Sequence, residues 1–155
     1  MLFLYVIFFD KINEEREVIL LKTRNEVREI ALRIIYKINI FDDANVYYDV
    51  NDLIKEEYEV ENDFVNSLVN GVIEKKEELT NLVNKYMSDW TLDRLNKVDG
   101  ALFLLSSYEL KYLDTPSIVS INEWVEISKK YSDEKITKML NGVLDNIYHS
   151  EDVNE

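Results

Sequence analysis

Between Thr23 and Tyr148 the apolar residues recur at steps of three and four with few interruptions. Val27, Ile30, Ala31, Ile34, Ile35 and Ile38 make the first such stripe. Phe64, Val65, Leu68, Val69, Val72, Leu79, Leu82 and Val83 make the second. At 3.6 residues per turn this spacing lines one face of a helix; in a strand it would scatter over both faces. The chain carries only 3 Gly and 1 Pro in 155 residues, too little turn punctuation for an all-β fold. The pattern specifies an all-α protein.

The punctuation that does occur divides the helices. Thr23 and Glu26 form a capping box ahead of the first stripe. Residues 42–62 read as a loop plus a short helix from Val50 to about Tyr58. Asn62 caps a longer helix, in which Gly71 costs about 1 kcal/mol against Ala; close approach of another helix is the expected reason. Asn96 and Asp99 offer the next cap. The helix behind them is apolar almost all round, with Phe103 and Leu104 on sides away from Ala101, Leu102 and Leu105, so it is expected at the centre. Asp114, Thr115 and Pro116 break it. A helix over 120–130 is expected to start at a capping box made by Ser120 and Glu123. Ser132 is expected to cap a last helix, with Ile136, Leu140, Val143, Leu144 and Ile147 in step. No linker separates these pieces. They read as one domain over residues 22–149, preceded by an extension over 1–21 and followed by an acidic tail over 150–155.

The extension opens MLFLYVIFF. It is too short to span a membrane and lacks the basic region and small-residue cleavage site of a signal peptide. Two readings stand: an extra element lying on the domain, or a native start downstream at Leu20 or Leu21. Sequencing the N-terminus of the native protein decides between them.

Composition removes several kinds of chemistry. There is no Cys and a single His, His149, so thiolate chemistry, disulfides, a histidine metal site and a Ser–His pair have nothing to build on. No cofactor or metal is expected. Nor is an enzyme, since no carboxylate pair stands in an acid/base context. A reducing, cytoplasmic setting fits.

Charge is unevenly placed. The net charge is -13, which would repel a nucleic acid if spread evenly. Residues 22–41, however, hold five basic residues against two acidic, and residues 42–65 hold nine acidic against one basic. On the first helix Arg24 and Arg28 fall on one flank of the apolar stripe, and Lys22, Arg33 and Lys37 on the other. Leu32 and Tyr36 point away from the stripe. They either form a contact surface or lie under another element.

Four segments carry a family resemblance. REIALRIIY (Arg28–Tyr36), WTLDRLNKVDGALFLLSSYEL (Trp90–Leu110), TPSIVSINEWVEISKKY and KMLNGVLDNI (Lys138–Ile147), in that order across about residues 23–148, resemble the NusB family of transcription antitermination factors. The resemblance implies two small helical bundles packed as one domain, and binding rather than catalysis. It implies a short single-stranded RNA element, boxA, in ribosomal RNA and phage leader transcripts, bound together with NusE, so that RNA polymerase passes terminators. RNA contact is then expected at Lys22, Arg24, Arg28, Arg33 and Lys37, with Tyr36 as a surface aromatic at a family tyrosine position. Asp99, and Leu32 beside Tyr36, are the expected partner contacts, the latter including a homodimer.

The chain departs from the family pattern where Asn25 and Glu26 interrupt the basic run. Gly100 and Leu104 stand where basic residues are usual, and Trp124 stands at a usually small position, filling a gap or serving an interface. These losses favour an alternative: a diverged protein-interaction module without autonomous RNA binding. A third possibility, the NusB-like domain that precedes the catalytic domain of some ribosomal RNA cytosine methyltransferases, is not expected to be catalytic alone, because the chain has no glycine-rich nucleotide-binding turn.

Overall fold

A computed structural model describes residues 22–151 and 153; the extension over 1–21 lies outside the described residues. Six α-helices follow in order: α1 Arg24–Asp43, α2 Val50–Glu57, α3 Asp63–Tyr86, α4 Lys97–Tyr112, α5 Ser117–Tyr131 and α6 Glu134–Ser150, with a 3₁₀ turn at Leu92–Arg94 before α4.

The caps read from sequence hold at three starts. Thr23 accepts from the Glu26 amide at 3.1 Å, Asn62 from the Val65 amide at 2.9 Å and Asn96 from the Asp99 amide at 2.8 Å. Each bond satisfies a donor that the helix itself leaves unpaired, worth about 1 kcal/mol. Two other starts differ. α5 begins at Ser117 behind Pro116, so Ser120 is an interior, buried residue and not a cap. Pro116 takes the N-cap position with ψ 132°, and its carbonyl accepts the first helical bond, from the Ser120 amide at 3.0 Å. At α6 the cap is Asp133, which accepts from the Ile136 amide at 2.9 Å; the Ser132 hydroxyl is drawn instead to Asp99 at 2.6 Å.

α4 is the centre, as its all-round apolarity requires. It packs on α1 and α3 in one bundle and on α5 and α6 in the other. Ala101, Leu102, Phe103 and Leu105 are fully enclosed. At Gly71 of α3 the Tyr108 ring of α4 takes the space that a β-carbon would occupy. Trp124 fills the joint between the bundles and has no exposed surface.

Candidate nucleic-acid interface

The apolar stripe of α1 faces α3 and α4, which leaves its two flanks to carry charge. The flanks have different fates. Arg28 is not on the surface; it is 2% exposed. Its Nε and Nη2 donate to the two oxygens of Glu109 on α4, both at 2.7 Å. Its Nη1 donates to Asn25 at 2.7 Å. Trp124 Nε1 donates to Glu109 at 3.1 Å, and the Asn25 amide donates to Glu123 on α5. Both Glu109 oxygens and all three Arg28 guanidinium nitrogens have partners, which is what makes a buried ion pair tolerable. The expectation that Arg28 touches RNA is therefore corrected. The stripe's period placed it on a flank but could not show that α4 supplies a carboxylate there.

Leu32 is also corrected. It is 2% exposed, because α5 runs along that side of α1: Asn25 bonds Glu123, and one turn later Glu29 pairs with Lys130 at 2.8 Å. The Leu32–Tyr36 surface expected for a partner or a second copy thus loses its aliphatic half. Asp99, 5% exposed, is corrected likewise. Its carboxylate accepts from Ser132, and burial raises its pKa. It braces the start of α4 against the α5–α6 turn, so its carboxylate is engaged within the fold and not open on the surface.

The other flank is open. Arg33 Nε lies 3.0 Å and Lys37 Nζ 2.7 Å from the oxygens of Glu57, at the end of α2. Lys22 stands over the Tyr58 ring at 5.6 Å and reaches Glu26 at 3.8 Å. Partial burial pushes the Glu57 carboxyl up, but Lys37 and Arg33 outweigh it and hold the carboxyl below the usual range. Tyr131, the last residue of α5, neighbours the Arg33 guanidinium, and Lys130 lies over the Tyr131 ring at 5.5 Å. Tyr36, one turn beyond Arg33, is 37% exposed. The surface so assembled carries Lys22, Arg33, Lys37 and Lys130 around Tyr36 and Tyr131. Glu26, Glu29 and Glu57 leave it one net positive charge.

Sequence reading missed Lys130 and Tyr131. The available signal was the KKY ending of α5, which also suits a helix C-terminus electrostatically. Arg24 stands apart from this surface: its guanidinium lies over Phe64 of α3 at 4.5 Å, and no carboxylate among the described residues pairs with it. At the two positions where the resemblance leads one to expect basic residues, Leu104 is buried and a β-carbon at Gly100 would meet open space, so packing does not demand glycine there. Among the described residues no cluster of metal-ligating side chains occurs, and no helix is long and apolar enough to cross a membrane.

The profile of the NusB family matches residues 25–149. This chain belongs to the NusB family. It is 42% identical over 125 residues to the transcription antitermination protein NusB of Listeria innocua, covering 80% of this chain and 94% of that protein. It is 39% identical over 127 residues to the NusB of Bacillus subtilis, covering 80% and 93%. Among solved structures, T. maritima NusB matches with a TM-score of 0.72 and 26% identity, over 83% of this chain and 92% of that one. A chain from the complex of antitermination factors NusB and NusE with double-stranded RNA matches with a TM-score of 0.68 and 27% identity, over 82% and 96%. The two-bundle NusB fold is thus shared from α1 through α6.

Proposed function

We propose that this NusB-family chain is an RNA-binding antitermination factor, a cytoplasmic binding module and not an enzyme. It acts with NusE on boxA-type single-stranded RNA in ribosomal RNA transcription, within the RNA polymerase antitermination complex. The observation that carries this reading is the cationic-aromatic surface where α1 meets the ends of α2 and α5. Lys22, Arg33, Lys37 and Lys130 neutralise phosphates, and Tyr36 and Tyr131 offer rings on which unpaired bases stack. The remainder of the molecule is anionic, which confines a polyphosphate strand to this face.

One observation favours the second reading, a module that needs its partner to hold RNA. Each cation of the surface already has a carboxylate, and Arg33 and Lys37 share one. A strand must displace these partners.

The test is a fluorescence titration of a boxA-type RNA, with and without NusE, at several salt concentrations. Binding is expected to tighten with NusE and to fall with salt by about 0.7 logarithmic units per decade for each phosphate neutralised. Arg33→Ala should lower that slope by one such step. Binding equal to that of a scrambled RNA in both arms refutes the RNA reading.

A further inference from the structure

We propose that the cleft on the opposite flank of α1 is a docking site for a basic, aliphatic-containing segment of a partner protein. The cleft is an open one between the starts of α1 and α3 and the α4–α5 turn, with a volume of about 660 Å³. Its apolar wall is made by Phe64, Leu113, Pro116 and Val119. Val119 is 46% exposed, and Ile118 beside it 63%, an apolar edge that no other described residue covers.

The polar rim decides the occupant. Asp63 from α3, Asp114 from the turn and Glu123 from α5 all line the cleft. No cation among the described residues lies within ion-pair distance of any of them. The two arginines at the cleft do not serve these carboxylates: Arg28 is held by Glu109, and Arg24 lies over Phe64. Three carboxylates against Arg24 leave the rim two charges negative, which disfavours a phosphate strand. Lysine or arginine side chains beside a leucine-like anchor match both the rim and the wall. The walls are preformed, because the Glu123–Asn25–Arg28–Glu109 chain fixes α5 against α1. The RNA surface is on the other flank, so both sites can be filled together.

The experiment uses the full chain with labelled isoleucine, leucine and valine methyls. It is titrated with a decapeptide of alternating lysine and leucine, with its glutamate–leucine counterpart, and with a single-stranded RNA dodecamer. The lysine peptide is expected to move the Ile118 and Val119 signals saturably, and the glutamate peptide to leave them in place. Asp63→Asn with Asp114→Asn should weaken the lysine peptide at least fivefold without changing the RNA titration, which separates this site from the RNA reading. The proposal is overturned by any of three results. One is no saturable shift with the lysine peptide. Another is Val119 shifts produced by RNA and abolished by Arg24→Glu. The third is shifts that grow with protein concentration alone, which would mark a contact between copies.

Discussion

Two arginines of one helix, Arg28 and Arg33, each meet a glutamate, and the outcomes are opposite. Arg28 and Glu109 meet inside the molecule, with all three guanidinium nitrogens and both carboxylate oxygens hydrogen-bonded. Arg33 and Glu57 meet at the rim, where the arginine side chain is 45% exposed and the acid also serves Lys37. A buried pair cannot be opened without stranding a charge. A rim pair is held by about 1 kcal/mol or less and can be exchanged for another anion. The inner pair therefore maintains architecture, and the outer one is available for binding.

The sharpest way to break this contrast is charge reversal. Arg28→Glu places two carboxylates in one enclosed site and should cost at least the about 3–5 kcal/mol of a broken buried pair, read as an early urea midpoint. Arg33→Glu should move that midpoint little. If both variants unfold alike, the distinction between the two sites is wrong.

Next in size are the rings. Tyr36→Ala and Tyr131→Ala should each weaken boxA-type RNA by about 1–3 kcal/mol if bases stack there, with circular dichroism unchanged. Unaltered titrations for both would move the strand elsewhere. A smaller, opposite effect belongs to Glu57. Removing its charge as Glu57→Gln frees Arg33 and Lys37 and should strengthen RNA binding up to about fivefold, the worth of an exposed pair. Weaker binding would mean that Glu57 orders the two cations usefully.

The smallest effect is in pH. Glu57 titrates below its ordinary value in the folded chain. Its contribution to stability is therefore complete above the unfolded carboxyl pKa and is lost as pH falls through the folded one. Urea midpoints of wild type and Glu57→Gln should differ slightly at neutral pH and converge in acid. Curves that stay parallel down to low pH would deny the linkage.

Local signals were legible wherever the competing physics was also local. The apolar period of α1, the caps at Thr23, Asn62 and Asn96, and the close approach at Gly71 all follow from neighbours within a few turns or from a single absent side chain. Ser120 failed because Pro116 started its helix sooner. Ser132 failed because Asp99, 33 residues away, claimed its hydroxyl. The site was less legible for the same reason. Arg28 and Leu32 lie on faces whose covering helices come from the far half of the chain, Glu109 being 81 residues from Arg28. Lys22, Arg33, Tyr36 and Lys37 could be grouped by helical angle. Lys130 and Tyr131 join them only once α5 folds back along α1.

Trp124 stands at the joint of the bundles, enclosed, with its indole hydrogen on Glu109. Only one other tryptophan occurs in the chain, Trp90, whose ring is approached by the cations of Arg94 and Lys135. The molecule thus contains its own optical gauge: a change in how the halves meet will alter the emission of a dry indole, with no label attached.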